Sequence, residues 1–385
     1  VEEEKLINSK ILSSTVAPYK YKISNNDVNI IHVDSLIINY SVLGDKELKS
    51  EIIKDIDTFY GNLTSTNFQK LRQNFRKNDF IVVNEKTKKI FFREGTYKLK
   101  ESLIIPEGYE VISDGNLKLD LINSSKIVSY SPISFYGSKE NPIIIFSSDS
   151  TGQGLVVLNA EGETVFNNVS FSNLVSFSEP GWDLTGAVTI YGSSVTFQRC
   201  IFKNNRSEDA LNCFNNKVKL ANSLFIDNAS DDFDGDFVTG LIINCEFNNP
   251  ANDAIDISGS KMDFNNVIID RFGDKGLSLG ENSFANAQNI IIKNGEIGLA
   301  CKDYSRIIGN YIDIENCSLG ITSFQKKSEF GPSEISLIDV SISNCSKPLL
   351  IENKSDVFIN NEYIIPNTDE VKSLLYGNLY GKKSS

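Results

Sequence analysis

From about residue 120 onward, apolar and polar positions alternate in short runs, and the runs recur at a fixed interval. The segments DALNCF at 209, DDFDGDF at 231, DAIDIS at 253, KGLSLG at 275, IGLACK at 297 and LGITSF at 319 each begin 22 residues after the one before. AVTIYG at 187 stands one step earlier, and KPLLIE at 347 follows after 28, the extra residues lying in QKKSEFGPSE. Between these segments, VTFQRCIF, VKLANSLF, LIINCEF and MDFNNVII have the period-two pattern of strands, broken by Asn, Gly, Ser and Asp. Nothing between 185 and 365 holds ten residues of helical periodicity. A short multi-strand repeat cannot bury its apolar face alone but can stack on copies of itself. The expected fold class is therefore all-β: a right-handed parallel β-helix, or solenoid, of about 22 residues per coil. Asn294, Asn316 and Asn344 recur before turns and are expected in left-handed backbone geometry, bridging coils.

The ends of the chain have other rhythms. VNIIHVDSLIINYSV suggests a strand pair, and DKELKSEIIKDIDTFYGNL and STNFQKLRQNFRKND suggest two helices. NTDEVKSLLYGNLYG reads as a terminal helix capping the last coil. The expected organisation is a small α/β module over 1–95, the β-helix over 96–365, and a C-terminal helix and tail over 366–385.

Strand alternation then sorts the repeat into columns. Leu211, Phe233, Ile255, Leu277, Leu299 and Ile321 form one inward column. Asn212, Asp234, Asp256, Ser278, Ala300 and Thr322 form the next, facing outward, flanked by Asp232, Asp236, Ser258, Gly280 and Lys302. Asp209, Asp231 and Asp253 make a second acidic row that Lys275 continues. Unit charges about 5 Å apart repel by roughly 3 kcal/mol at an effective dielectric of 20, so such stacking demands a compensator. Two remain open: a hard divalent cation, Ca²⁺, held by Asp232, Asp234, Asp236 and Asp256, or an acidic ladder held by hydrogen bonds and Lys275. Lys302, Arg306, Lys326 and Lys327 follow on later coils, either as a saccharide track or as counter-ions on a solvated face.

Composition narrows the partners. A formal charge of −12 argues against nucleic acid, whose phosphates select basic patches. No run approaches the roughly 18 apolar residues of a membrane helix. The six cysteines form no CxxC pair and sit in strand-like runs, so free, mostly buried thiols are expected; Cys317 and Cys345 are one coil apart. The only histidine, His32, lies far from the acidic segments. The chain begins with Val1, and a leader or anchor removed from its N-terminus is the expectation.

The pieces LTGAVTIYGS, EDALN, DDFDGDF, NDAIDISGS, GDKGLSLGENS, IGLACKDYS and FQKKSEFGP, spanning 184–332, carry a resemblance. The chain resembles right-handed parallel β-helix proteins of the pectate-lyase-like superfamily, and looks closest to bacterial β-helix regions found with spore-coat-H-like kinase domains. The resemblance implies a secreted, periplasmic or cell-surface protein acting on an anionic polysaccharide. A Ca²⁺-assisted lyase or C5-epimerase of a uronate-containing glycan is the enzyme reading. A non-catalytic carbohydrate-binding or scaffold β-helix is the alternative. Under the enzyme reading Lys302 and Lys275 are the candidate bases, and Tyr304 or Tyr191 the acid. Asn212, Phe214, Arg306, Lys326 and Phe324 are the candidate substrate contacts. The paired motifs of pectate lyases are absent.

Overall fold

The computed structural model describes residues 71–179 and 182–377, with four short strands nearer the N-terminus. The chain divides into two compact units, Val1–Lys70 and Leu71–Ser385. In the first, Ser9–Ile11 pairs antiparallel with Tyr21–Ile23, and Leu36–Tyr40 with Lys49–Ile53. The helix expected over 45–63 is not formed in its described part. Ile52 and Ile53 instead stand opposite Ile37 and Leu36 in hairpin register. β-branched residues lose rotamer freedom in a helix and favour extended backbone. The rest of that segment, the sequence preceding Leu36 in the expected strand pair, and His32 lie outside the described residues.

In the second unit, the helix expected over 65–79 reduces, where described, to the 3-10 turn Phe75–Lys77. Its role is at the edge of the solenoid. The Asn74 side chain accepts from Ile104 N–H at 2.8 Å and donates to Ser102 C=O, while Phe75 is buried. An otherwise open edge strand, Leu103–Ile105, is thereby covered. The hairpin Ile81–Asn84 and Lys89–Phe92 is hydrogen-bonded into the solenoid's larger sheet.

Two sheets make the solenoid. One holds 11 parallel strands from Leu103–Ile105 to Lys347–Ile351, and the other holds the remaining coil strands. Register is 22 residues through the middle of the stack, as in Leu211↔Phe233, and 28 at Ile321↔Leu349. Leu211, Phe233, Ile255, Leu277, Leu299 and Ile321 are all buried in one column, as the alternation requires. Stacking like on like lets aromatic rings repeat at the coil rise: Phe202, Phe225 and Phe247 stack with centroids 4.5 and 4.7 Å apart. In the larger sheet the ten-residue strands bend at Asn244, Asn266 and Asn289, each with positive φ, and these side chains bond coil to coil. Asn294, Asn316 and Asn344 also have positive φ. Between 187 and 330 there is no helix.

Two segments lie on the outer face of the 11-stranded sheet. The hairpin Phe177–Glu179 and Trp182–Leu184 packs with Ile104, Val128 and Val156 over the early coils. The C-terminal helix, Val371–Leu375, packs with Ile297, Ala300, Leu319, Phe324 and Leu350 over the late ones. Among the described residues, no segment covers the coils between them.

All six cysteines are free, and burial pushes the Cys200 and Cys301 thiols up to about 12. With so little thiolate at neutral pH, alkylation of the folded protein is expected to be slow and to become complete only in denaturant, as counted by mass spectrometry. Phe225→Ala should cost about 3–5 kcal/mol in denaturant unfolding, because the rings above and below hold the cavity open.

Candidate active site

The open coils form a trough whose floor is built from three outward columns. Register places Asn212, Asp234, Asp256 and Ser278 side by side in the central column. Asp209 and Asp231 are paired in the first, which continues through Asp253 to Lys275. Phe214, Asp236, Ser258 and Gly280 are paired in the third.

At one end the carboxyls are close and poorly solvated. Asn212 Nδ2 donates to Asp234 Oδ2 at 2.9 Å, and Asn252 and the Asp253 N–H donate to Asp231 Oδ1 at 2.6 and 2.9 Å. Burial, reinforced by each other's charge, drives these groups toward the neutral acid. Asp231 is raised to about 8 by burial and Asp253, and Asp236 to about 6 by burial, Asp256 and Glu281. Asp209 rises to about 7, where burial and the neighbouring carboxylates outweigh the Thr185 hydrogen bond. Asp234 is pushed well above the usual carboxylate range by burial, then by Asp209, Asp236 and Asp256. Protons are thus the compensator at this end.

At the other end lysines compensate. Burial alone would raise Asp256, but Lys302 and Lys275, with the Ser278 hydroxyl and Lys326, hold it below the ordinary value. Lys302 Nζ lies 2.8 Å from Ser278 Oγ and 3.8 Å from Asp256 Oδ1. Lys275 is buried, with Nζ 3.2 Å from both Asp253 oxygens and 2.6 Å from Asp274. Burial favours its neutral form, yet Asp253 and Asp256 overcome that and raise its pKa. The longer coil supplies a rim: Asp303 Oδ1 accepts from the Lys326 and Lys327 N–H groups at 2.6 and 2.8 Å. That fold-over sets Lys327 against Glu281 and Lys326 over the Tyr376 ring, 5.5 Å from its centroid. Burial, with Lys302 and Lys275 nearby, lowers Lys326.

Asn212, Asp234, Asp236, Asp256, Lys275, Lys302 and Lys326 are therefore together, as the columns require. Phe214 joins them, its ring stacked 4.7 Å from Tyr191 and edge-on to Phe237. Four expected residues do not. Asp232 faces the interior: it is fully buried and takes the Asn228 amide at 2.7 Å, extending a ladder from Asn205. Alternation slips by one at this point, so that Asp231 and Asp234 lie on the same side with two inward residues between them. Phe324 is covered by the C-terminal helix. Arg306 belongs to the other sheet, exposed and paired with Glu334. Tyr304 lies past its strand end in a positive-φ turn, its ring against Phe330.

Lys275 and Lys302, read from sequence as bases, are held in ion pairs with carboxylates. The Ca²⁺ set loses Asp232, and among the described residues no three His, Cys, Asp or Glu side chains converge to hold a metal ion. Lys327, read from the sequence as part of the basic track, lies at the rim; Phe237, Glu281 and Tyr376 were missed, and only Glu281 had a signal, in a charge adjoining the acidic columns.

An acid whose folded pKa exceeds its unfolded one ties up a proton that the unfolded chain releases. Below about pH 4 both states are protonated and Asp209, Asp231 and Asp236 contribute no difference. As pH rises, the unfolded state ionises first, and stability falls until the folded values of about 7, 8 and 6 are passed. Asp256 acts oppositely, its contribution being lost as pH falls toward its depressed value. Stability should therefore fall between pH 5 and pH 8 by about 1.4 kcal/mol per pH unit for each proton retained, and the melting temperature should be higher near pH 5 than near pH 8. Asp209→Asn should flatten this profile and stabilise the protein near pH 8; an unchanged profile in thermal melts would contradict the shared-proton description.

No protein-family profile matches the chain, and no curated protein sequence does. Among solved structures, a double mutant of the periplasmic alginate epimerase AlgG matches at a TM-score of 0.46 and 11% identity, over 73% of this chain and 85% of that one. The unmutated AlgG epimerase matches at 0.43 and 12%, over 70% and 84%. A catalytic domain of GH87 alpha-1,3-glucanase in complex with tetrasaccharides matches at 0.34 and 14%, over 73% and 65%. These are likenesses in the course of the backbone; the chemistry of the trough rests on its own residues.

Proposed function

We propose that the trough is the active site of a polysaccharide-active β-helix enzyme working by general acid–base chemistry on a glycan with anionic groups. The observation that carries this reading is the pair Asp234↔Asp256, on adjacent strands and driven to opposite protonation states. Lysines flank only Asp256, so it is the ionised partner and the nucleophile; Asp234, among other carboxyls, is the acid. Two carboxyl groups with separated roles, about 5 Å apart as adjacent strands hold them, are what retaining glycosidic cleavage uses. Asp234 would protonate the leaving glycosidic oxygen as Asp256 bonds to the anomeric carbon, and Asp234 would then take the proton of the water that displaces Asp256 from the glycosyl ester. Lys302 and Lys326 would receive the substrate's anionic group, and the Tyr191–Phe214–Phe237 strip would take a sugar face.

A second reading, a lyase or C5-epimerase, is favoured by one observation: the lowered Lys326 pKa gives this lysine more free-base character. It would abstract the C5 proton of a uronate, in place of Lys275 or Lys302. Either reading places the protein where polysaccharide is found, at or outside the cell envelope. Among the described residues, no helix is long and apolar enough to cross a membrane.

Incubation with uronate-containing polymers separates these readings. New reducing ends without ultraviolet absorbance mark hydrolysis, an absorbing unsaturated product marks elimination, and a changed uronate epimer by NMR marks epimerisation. Asp256→Asn and Asp234→Asn should each lower hydrolytic turnover by about 10²–10⁴-fold with folding preserved. Absence of turnover across the panel, with glycan binding intact in both variants, would make the protein a binding scaffold.

A further inference from the structure

The larger sheet carries a second feature, independent of the trough. Its bends run through Asn222, Asn244, Asn266 and Asn289, each with positive φ, and the last three each donate their amide to the asparagine of the coil before. The next coil breaks this rule. Its bend residue is Tyr311, at φ 57, and the one after is Asp339, at φ 55. Asparagine tolerates left-handed backbone because its short amide bonds locally, whereas a bulky aromatic there is strained. The substitution also ends the amide ladder at Asn289. Arg199, one coil before Asn222, also departs from asparagine at this bend, at φ 53, so the bend itself accepts other residues and Tyr311 is singled out by what it presents.

What the strain achieves is the presentation of a ring. Tyr311 is 56% exposed, and beside it a groove of about 590 Å³ crosses four coils, with Ile268 and Ile291 on its floor, 36% and 40% exposed. Asp313, Asp339 and the Asn289 amide line the same groove, and no lysine or arginine does. Three coil steps give it a length of about 14 Å, enough for a short oligosaccharide. An aromatic face with aliphatic neighbours suits the C–H face of a pyranose, and carboxylates and amides suit its hydroxyls. Two carboxylates without a lining cation disfavour an anionic sugar.

We propose that this groove is a binding site for a neutral glycan segment, with Tyr311 as its stacking platform. It differs from the trough in the charge of its ligand and lies on the other sheet.

The test uses the full chain on an array of immobilised neutral oligomers (α- and β-glucans, mannans and N-acetylglucosamine oligomers), with hits measured by calorimetry. Tyr311→Asn restores the ladder's own residue. It should fold with an unchanged or higher melting temperature and bind the hit at least tenfold more weakly, while Asp256→Asn binds it as the unaltered protein does. Three results would overturn the proposal: no neutral oligomer is bound; Tyr311→Asn binds as well as the parent while trough variants do not; or Tyr311→Asn abolishes a self-association visible in sedimentation without any glycan binding being found. Ile291→Ser provides a second variant on the groove floor, with a tenfold loss again expected.

Discussion

Parallel stacking in register governs this molecule. Each residue stands about 4.8 Å above its counterpart in the previous coil, so whatever one coil places in a column the next must live beside. Inside, this is favourable: Leu211 to Ile321 and the Phe202–Phe225–Phe247 stack gain contacts from repetition. Outside, the same rule puts Asp209 against Asp231, and Asp234 against Asp256. The repulsion must be offset locally, and the structure uses protons at one end and lysines at the other. Reactivity and fold thus come from one constraint, since the register that builds the core also separates the protonation states of neighbouring carboxyls.

The solenoid was legible in the sequence because a period survives variation in any single residue. The inward column, the long coil and the asparagine turns all follow from the interval and from alternation. Where strict alternation was extended one residue too far, the reading failed. Asp232 occupies a column that in other coils holds Ala210, Ala254, Gly276, Gly298 and Gly320, residues small enough for a crowded interior. A Cβ at Gly276 would lie 2.6 Å from Ile292, which shows how tightly that column is packed. The run of small residues was the signal that the strand steps inward there. Phe324 and Tyr376 were illegible for a different reason: a segment some 50 residues away in sequence returns to cover the sheet, and no local pattern announces where it docks. The helix expected over 45–63 failed, in its described part, through a third cause, apolar spacing compatible with both helix and strand, which tertiary pairing decides.

The covers explain why only part of a uniform sheet is a site. The Phe177–Leu184 hairpin is fixed by Lys126, whose ammonium meets Glu179 at 2.7 Å and lies 4.5 Å from the centre of the Phe177 ring. The C-terminal helix closes the far end over Ala300 and Leu319. Under the covers the outward residues are mainly apolar, among them Ile104, Val128 and Val156 beneath the hairpin and Ala300, Phe324 and Leu350 beneath the helix, and between them they are mainly polar. The sequence therefore matches each coil's outer residues to what lies above them, and the trough is the interval that no described segment covers.

Within that interval, reach decides which carboxyl stays charged. Lys302 begins two coils beyond Asp256, a backbone separation of roughly 10 Å. Its side chain closes the gap by lying back along the stack across Gly280, where an added Cβ would come within 3.0 Å of Lys302 Cε. The missing side chain at Gly280 leaves a channel for the lysine stem, and Ser278 steers the ammonium with a 2.8 Å hydrogen bond. Lys275 approaches from the first column, held by Asp253 and Asp274. Neither is among the groups that set the Asp234 carboxyl, whose neighbours are other acids. The asymmetry between two stacked aspartates, on which the proposed chemistry depends, therefore traces to one small residue and to the length of a lysine side chain.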